Sequence, residues 1–403
     1  MVAALLAIGF AVTNGLHDAS NAIATLVATR AATPLQAILL ASVFNLLGPL
    51  FLGAAVADTV GGIVTVPPDV TVEVIGAGLA AAVTWNLVTW RLGLPSSSGH
   101  ALVGGLVGAA VVEGGVHAIN WGGIEHWRPV GVFGILIALA LSPVLGGVAA
   151  LLLIRAVRAV AHRATRRWRA PVGAGEWGMS AALAFSHGAN DAQKSIGVIA
   201  ALLLAGGQTE TLAAPTWAKV VCAAALTVGT ALGGWRIIAT VGRRICRIRP
   251  EEGLASQTAS AGVIFGSSLL GAPVSTTQVV ASSVVGIGVG RHRWHHVHWA
   301  VVRNMGLAWL ITLPVSAALG AVALQLWPAG DVTRKRWFLP ETPDVLGMLR
   351  RKMAVTIDGM DAFARWAGGD APAAGAVRDA ERQGDVAKRD LLTALREGVR
   401  HPH

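Results

Sequence analysis

The sequence has few charged residues and few cysteines for its length. Only 13% of its 403 residues are charged, whereas 54% are hydrophobic, and the mean hydropathy is +0.59. Soluble globular domains carry about 25% charged residues, so the composition excludes an ordinary soluble protein. Two cysteines, Cys222 and Cys246, offer neither a disulfide framework nor the ligand spacing of a metal site.

The first residues lack the basic segment and the cleavage site of a signal peptide. We therefore expect their apolar run, "MVAALLAIGFAVTNG", to remain as the first membrane span. The net charge is +10, but the basic residues lie mostly in short segments between apolar runs and in the C-terminal tail. That distribution is typical of cytoplasmic loops, so no nucleic-acid partner is expected.

Long apolar runs recur between residues 1 and 327. They lie roughly at Leu35–Ala57, Val70–Trp90, Val130–Ile154, Ala218–Val241 and Val297–Trp327. Because about 20 helical residues cross the hydrocarbon core of a bilayer, we predict an all-α polytopic membrane protein with about ten to twelve transmembrane segments. The 49 glycines fit helices that approach closely in lipid. The expected location is the cell (inner) membrane, which the chain crosses many times.

Two pairs of motifs occur in the same order in the two halves of the chain. "NGLHDASNAIATLVATR" from Asn14 matches "HGANDAQKSIGVIAALL" from His187, and "LPSSSGHALVGG" from Leu94 matches "APVSTTQVVASS" from Ala272. The offset between the aspartates, 191 − 18 = 173, is close to that between the prolines, 273 − 95 = 178. We therefore predict an internal duplication.

Each half is predicted to hold about five hydrophobic segments, and an odd number makes the two copies insert with opposite orientation. Inverted repeats with broken helices are the plan of secondary transporters, whose site forms between the copies near mid-membrane. The predicted divisions are a first repeat at 1–155, a basic cytoplasmic loop at 156–175, a second repeat at 176–327 and a polar helical C-terminal tail at 328–403.

Arginines predict which helix ends face the cytoplasm. If the segments cross in turn, one set of loops collects most of them, and the positive-inside rule assigns these loops to the cytoplasm. The set is Arg30, Arg91, Arg155, Arg158, Arg163, Arg166, Arg167, Arg169, Arg243, Arg244, Arg247, Arg249, Arg291 and Arg293. The same count leaves the tail outside although it begins "RKRWF", so the side on which the tail lies stays open.

Acidic residues lie inside the polar motifs of both halves. Asp18 and Asn21 are three residues apart and share one helix face, as do Asp191 and Lys194. An ionised carboxylate at mid-bilayer costs at least about 2.5–3.5 kcal/mol on insertion scales, so it should face a hydrated cavity or a counter-charge. One such pair could act only as glue between helices, but matched residues in two repeats favour an ion site.

Gly15 and Gly188 each precede an acid by three residues. Two interpretations are open from the sequence. The glycines could break their helices, so that freed backbone groups line an ion site, or they could let neighbouring helices pack closely.

Hydroxyl residues follow a proline in the second motif of each half: Ser96, Ser97 and Ser98 after Pro95, and Ser275, Thr276 and Thr277 after Pro273. A proline ahead of such residues favours a helix start near it. The free N–H groups and the positive end of the helix dipole then suit an oxyanion. The alternative is ordinary capping of helix ends by Ser and Thr.

These motifs together resemble the inorganic phosphate transporter (PiT) family, particularly its bacterial low-affinity members. The resemblance rests on "GLHDASNAIAT", "WNLVTWRLGLPSSSGH", "FSHGANDAQKSIG" and "GAPVSTTQVVASS" and covers roughly residues 1–327. It implies a homodimeric secondary transporter in the lipid bilayer that imports inorganic phosphate by alternating access. The implied substrate-binding residues are Asn190, Lys194, Ser97, Ser98, Ser275, Thr276 and Thr277. The implied ion-coupling residues are His17, Asp18, Asn21 and Asp191.

Three departures from the family pattern bear on the coupling ion. The first copy reads His17-Asp18 in place of Asn-Asp, Lys194 replaces a second asparagine of sodium-coupled members, and Gln278 stands where a histidine is often found. A fixed ammonium near Asp191 can take the place of a bound sodium ion. We therefore predict symport with protons, carried by Asp18 and His17, without a resident cofactor or metal. A divalent cation travelling with phosphate is a further expectation from the resemblance.

Other functions stay open at this point. A sulfate permease would also bind a tetrahedral oxyanion, but protonated phosphate can donate a hydrogen bond to Asp18 or Asp191 and sulfate cannot. An intramembrane protease would use the same two acids as a dyad, or Ser186 with His187, and it leaves the hydroxyl motifs without a role. We predict that the chain is not an enzyme. The tail resembles part of a PhoU-like domain through Glu381 and Asp385, although a solvated amphipathic helix pair is the preferred interpretation.

Overall fold

A computed structural model of the protein describes residues 2–125, 128–161, 169–233, 237–238, 240–290, 294–327 and 345–400. Contacts divide the chain into two compact units, residues 1–328 and 329–403. The apolar runs all lie in the first unit, which we call the membrane unit, and the polar C-terminal tail forms the second.

Helices make up nearly all of the described membrane unit. They are α1 (Val2–Ala28), α2 (Pro34–Phe51), α3 (Ala55–Gly61), α4 (Pro68–Leu92), α5 (Ser98–Gly114), α6 (Gly131–Ala161), α7 (Arg169–Ala205), α8 (Thr216–Leu232), α9 (Pro250–Leu269), α10 (Thr276–Gly290) and α11 (Trp299–Leu326). Short 3₁₀ turns at Gly115–Ala118 and Trp294–His296 and a π-helical turn at Thr240–Arg244 join them. Strands β1 (Gly123–Glu125) and β2 (Arg128–Val130) pair antiparallel in one connection, with Ile124 opposite Pro129.

Six helices of the described chain are long and apolar enough to cross a membrane: α1, α2, α4, α6, α11 and the segment Ser98–Ala118 that contains α5. Helices α8 and α10 are shorter and apolar. Large apolar side chains also cover the outside of the unit, since Phe51 is 75% exposed and Leu310 73%. Such a surface suits lipid rather than water. The prediction of an all-α multi-pass membrane protein is confirmed.

The predicted basic loop at 156–175 is largely helical where it is described. Helix α6 continues to Ala161 and α7 begins at Arg169, while residues 162–168 lie outside the described residues. Helix α6 therefore continues past Arg155 and Arg158. This is possible because a long arginine stem can lie along a helix while its charged head reaches water.

Local sequence signals explain where several helices begin and end. Thr33 and Gln36 form a capping box at the start of α2, where Pro34 occupies the first turn. Helix α4 ends at Gly93, whose φ of 66° lies in the left-handed region that favours glycine. This stop matters for the site, because the chain turns there and restarts as α5 after the Ser97 N-cap.

Gly15 and Gly188 serve close packing and do not break their helices. Helices α1 and α7 run without interruption through both positions. A Cβ atom at Gly188 would lie 2.4 Å from the carbonyl oxygen of Asn45 on α2, and one at Gly15 would lie 2.1 Å from that of Leu226 on α8. The structure therefore supports the close-packing interpretation of these glycines. The helical chain is interrupted instead at the two hydroxyl motifs, which lie ahead of α5 and α10.

Helix contacts are reciprocal between the two halves. Helix α1 packs against α8 while α2 packs against α7, and α5 packs against α11 while α6 packs against α10. Within the halves, α1 packs against α4 and α7 against α9. A duplicated module is expected to give this pattern. The inverted orientation of the two copies in a bilayer remains a prediction.

The tail unit contains two helices, α12 (Val345–Ala367) and α13 (Ala373–Arg400), which pack against each other as a hairpin. Glu381 and Asp385 both lie on α13 and line a groove between the two helices together with Lys388. The predicted helical tail is confirmed, whereas its relation to a PhoU-like domain stays a prediction.

Replacing Gly188 with alanine should destabilise the membrane unit. The added methyl group meets the Asn45 backbone, and such overpacking costs about 1–3 kcal/mol. Gly178→Ala is the matched control on the same helix, because a Cβ there has no heavy atom within 4 Å. Thermal unfolding of the purified protein in detergent, followed by tryptophan fluorescence, should show a lower Tm for G188A alone. Equal Tm values for both variants would contradict the packing role.

Candidate functional site

The predicted site residues lie together in the interior of the membrane unit. Helices α1 and α7 carry the two acids, and the starts of α5 and α10 carry the hydroxyls. All of the predicted residues are at most 3% exposed: His17, Asp18, Asn21, Ser97, Ser98, Asn190, Asp191, Lys194, Ser275, Thr276 and Thr277. Buried polar groups need partners, so their contacts define the site.

Asp18 receives hydrogen bonds from both halves of the chain. Ser98 Oγ on α5 donates to Asp18 Oδ2 at 2.8 Å, and Thr277 Oγ1 on α10 donates to Asp18 Oδ1 at 2.6 Å. The ring nitrogen Nδ1 of His17 lies 2.8 Å from the same Oδ1. Asn21, one turn along α1, donates through Nδ2 to Thr277 Oγ1 at 2.8 Å. These contacts stabilise the carboxylate without a fixed cation.

Asp191 is held differently, by a cation on its own helix. Lys194 Nζ donates to Asp191 Oδ1 and to the backbone oxygen of Val274 at 3.1 Å. Thr276 Oγ1 donates to Asp191 Oδ2 at 3.1 Å, and His187 Nε2 lies 3.0 Å from that oxygen. A buried carboxylate paired with a buried ammonium avoids the cost of an isolated charge. This half of the site therefore has its own counter-charge.

Two adjacent residues join the two acids. Thr276 donates to Asp191 and Thr277 donates to Asp18, so one helix start bridges both halves of the chain. The predicted convergence of residues 18 and 191 on one place is therefore seen in the structure. No hydrogen bond joins the two carboxylates in the described contacts, since each oxygen is engaged by hydroxyl, imidazole or ammonium groups.

Ser97 and Ser275 cap the helices that carry the other hydroxyls. Ser97 Oγ accepts a hydrogen bond from the backbone N–H of His100, and Ser275 Oγ accepts one from that of Gln278, each at 3.3 Å. Both helices start three residues after their proline, so Pro95 and Pro273 lie ahead of the N-cap rather than in the first turn. Capping is thus the role that the contacts show for these two serines, and anion binding by them stays a prediction.

Corresponding residues of the two halves make corresponding contacts. His17 Nε2 lies 3.2 Å from the carbonyl oxygen of Leu94, and Asn190 Nδ2 donates to that of Ala272, also at 3.2 Å. Asn190 donates further to Ser268 Oγ at 3.0 Å. The imidazole of the first half and the amide of the second therefore occupy equivalent places.

Several buried polar atoms around the acids have no hydrogen-bond partner among the described residues. They are Asn21 Oδ1, Asn190 Oδ1, Ser195 Oγ, His100 Nδ1 and Gln278 Oε1. Unpaired buried polar atoms are costly, so their concentration beside the acids fits a site for polar ligands. His100 and Gln278 hold equivalent positions, two residues after the first residue of α5 and of α10. The sequence analysis did not select His100 as a site residue, although the match between the two hydroxyl motifs could have identified it as the counterpart of Gln278.

Neither protease arrangement is supported by the contacts. Ser186 Oγ donates to the backbone oxygen of Ala182 at 2.8 Å, and His187 Nδ1 lies 3.0 Å from Asn45 Oδ1. Their side chains are therefore engaged with different helices and do not form a nucleophile and base pair.

A multi-pass helical protein with a buried site of acids and hydroxyls drawn from both halves of the chain has the features of a membrane transport protein. The family model described as "Phosphate transporter family" matches residues 14–175 and 171–320. The chain therefore belongs to the phosphate transporter family. It is a phosphate transporter of the cell membrane and not an enzyme.

Individual relatives agree with the family match. A probable low-affinity inorganic phosphate transporter of Mycobacterium bovis is 41% identical over 323 residues, which cover 80% of this chain and 76% of the relative. A protein of the same description from Bacillus subtilis is 40% identical, covering 79% of this chain and 94% of its own length. Among solved structures, "The sodium-dependent phosphate transporter" has a TM-score of 0.71 at 25% identity, covering 81% of this chain and 98% of that one.

Thr277→Val should impair phosphate uptake severely. The variant keeps the shape of the side chain but removes the donor to Asp18 and the acceptor of Asn21. Losing a hydrogen bond to a charged group costs about 1.5–3 kcal/mol, which corresponds to a loss of about tenfold to hundredfold in kcat/KM. The loss in kcat/KM is measured as the uptake of radiolabelled phosphate into proteoliposomes. Thr258→Val is the control, because the contact described for the Thr258 hydroxyl is to the backbone of Leu254 on its own helix. Equal losses in both variants would contradict the role of Thr277.

Proposed function

We propose that the protein imports inorganic phosphate in symport with protons by alternating access. The single observation that carries the choice of proton is Lys194. This lysine takes the place in the second half that Asn21 takes in the first, three residues after the acid, and its ammonium bonds directly to Asp191. A sodium ion beside Asp191 would meet that fixed positive charge at close range.

The solved relative is named as sodium-dependent, so the coupling ion has to be argued from this chain's own residues. In the second half, the ammonium already neutralises the carboxylate. In the first half, Asp18 is surrounded by the hydroxyls of Ser98 and Thr277 and the imidazole of His17, without a fixed cation in these contacts. Carboxylate and imidazole are the usual proton carriers inside membranes. Asp18 with His17 therefore forms the proposed proton site.

Phosphate binding is proposed at the starts of α5 and α10. Both helices direct their first N–H groups and the positive ends of their dipoles toward the region of the acids, with Ser98, Thr276 and Thr277 as hydroxyl donors. Lys194 adds one positive charge to this region. A protonated phosphate can donate to a carboxylate as well as accept from these groups, whereas sulfate can only accept.

A divalent cation can travel with phosphate as cargo. A neutral metal–phosphate pair costs less to bury than a free dianion, which agrees with a site whose fixed charges already compensate one another. The reciprocal packing of the two halves supports rocking of one repeat against the other as the transport motion. A homodimer is part of the proposal through the family resemblance.

Uptake into proteoliposomes should follow an imposed pH gradient and ignore an imposed sodium gradient. Inward proton flow protonates the Asp18 site on one side and leaves it deprotonated on the other, so an acidic outside should accelerate phosphate entry. Labelled phosphate and an internal pH dye measure both fluxes in the same vesicles, and excess sulfate tests the choice of anion. Uptake that requires sodium at constant pH would overturn proton coupling.

Lys194→Asn should abolish sodium-independent uptake. The change removes the counter-charge of Asp191, and a buried charge left without its partner costs about 3–5 kcal/mol. We expect partial rescue by sodium, which can take the place of the ammonium. Lys219→Asn serves as the control, because Lys219 lies at the start of α8 outside the site. Sodium-independent uptake at the wild-type rate in K194N would remove the argument for protons.

A further inference from the structure

A further buried carboxylate, unused in the proposed site, lies near the arginine-rich end of the membrane unit. Glu176 is on the first turns of α7 and is 1% exposed. Neither of its carboxylate oxygens meets a partner within hydrogen-bond distance among the described residues, although the Thr29 hydroxyl lies close enough to stabilise the charged form. An ionisable side chain buried in a membrane protein without compensation is costly and is therefore a candidate for function.

Three helices meet at Glu176. A Cβ atom at Gly253 of α9 would lie 2.4 Å from Glu176 Oε1 and 2.9 Å from Thr29 Cγ2, so the glycine leaves the space that the carboxylate occupies. Thr29 follows the last residue of α1. It lies eleven residues beyond Asp18, which is about 16 Å along a helix and about half the thickness of a bilayer core.

Polar side chains fill the interval between Glu176 and the central acids. On α1, Asn21 and Thr25 follow Asp18 at helical spacing, one turn apart. Gln257 of α9 donates through Nε2 to Thr25 Oγ1 at 2.9 Å, and its Oε1 has no partner among the described residues. Ser180, one turn from Glu176 on α7, donates to the backbone oxygen of Ala22 at 3.4 Å.

Buried polar side chains thus occupy the interval between the proposed proton site and one end of the unit, and we call them the polar file. Each intermediate member is at most 1% exposed: Asn21, Thr25, Ser180 and Gln257. Polar side chains can hold helices together in lipid by hydrogen bonds, but that role does not call for a buried carboxylate without a counter-charge at the end of the series. A file of polar groups on three facing helices, ending at a carboxylate, instead has the composition of a proton path. Thr25 and Ser180 hydroxyls can each accept one proton and release another.

The groups that face Glu176 act on its charge in opposite directions. From α9, the carboxylate of Glu251 acts on it electrostatically, and Glu252 turns back to accept from the N–H of Arg249 at 2.8 Å. From α1, Thr29 presents a hydroxyl that donates to the backbone oxygen of Leu26 at 3.2 Å. Arg30, the next residue, is exposed. Burial, first, and then the Glu251 carboxylate disfavour the charged form of Glu176, while the Thr29 hydroxyl favours it. Glu176 is therefore suited to bind and release a proton.

We infer that Glu176 is the exit group for the transported proton at the arginine-rich end, receiving it from the Asp18 site by way of the Thr25 and Ser180 hydroxyls and of water oriented by the carboxamides of Asn21 and Gln257. This inference rests on the proposed proton coupling. Glu176 is not assigned a contact with phosphate. It should therefore govern net proton-coupled uptake without governing the exchange of bound phosphate.

Glu176→Gln separates these two activities, because the amide keeps the shape of the side chain but carries no titratable proton. In proteoliposomes, uptake driven by a pH gradient and the accompanying proton entry should fall at least about tenfold. Exchange of internal for external labelled phosphate at equal pH should stay within about twofold of wild type. Glu210→Gln is the matched control, because Glu210 is exposed in a loop between α7 and α8. Wild-type net uptake in E176Q, or parallel loss of net uptake and exchange in folded protein, would overturn the inference.

Glu176→Asp provides a second variant if E176Q does not fold. It retains a carboxylate but withdraws it by one methylene from the space beside Gly253. Slower net uptake with normal exchange is expected, and wild-type rates of both would again count against Glu176. Failure of proton coupling itself is recognised separately, since wild-type vesicles would then take up phosphate without any proton entry.

Discussion

The site depends on burying two carboxylates in a helical unit whose outer surface is apolar. Thr276 and Thr277 meet this demand together, because neighbouring hydroxyls on one helix start donate to Asp191 and to Asp18. The acids come from helices of different halves, so the halves cannot separate at this point without leaving a buried carboxylate short of a donor. The hydroxyls that are proposed to bind phosphate thus also hold the two halves together.

Close helix approach makes this arrangement possible. Gly15 and Gly229 bring α1 and α8 together, and Gly48 and Gly188 do the same for α2 and α7. In each pair, a Cβ atom would lie within 2.4 Å of a backbone oxygen on the partner helix. Small residues at helix interfaces replace the hydrophobic driving force that is weak in lipid, and here they set the distance at which polar side chains can reach across.

The two halves share a plan but differ in charge. Asp191 has a covalently fixed counter-charge in Lys194, while Asp18 depends on hydroxyls and on His17. Of the two acids, Asp18 is the one without a fixed counter-charge in the described contacts. A mobile cation is therefore stabilised more beside Asp18 than beside Asp191. In the proposed mechanism the mobile cation is a proton, which needs a route to one side of the membrane, and Glu176 is the inferred end of that route.

Much of this protein follows from the sequence by itself: the apolar runs determine a multi-pass helical fold, and matched motifs determine the duplication and its acids and hydroxyls. Both are local or periodic signals, so they can be recognised without knowing which residues are in contact in the folded protein. Tertiary structure alone decided that Gly15 and Gly188 pack rather than break helices, that Ser97 and Ser275 cap, and that Thr277 reaches Asp18 rather than the acid of its own half. These outcomes depend on which helices touch, and residues distant in sequence meet only through packing.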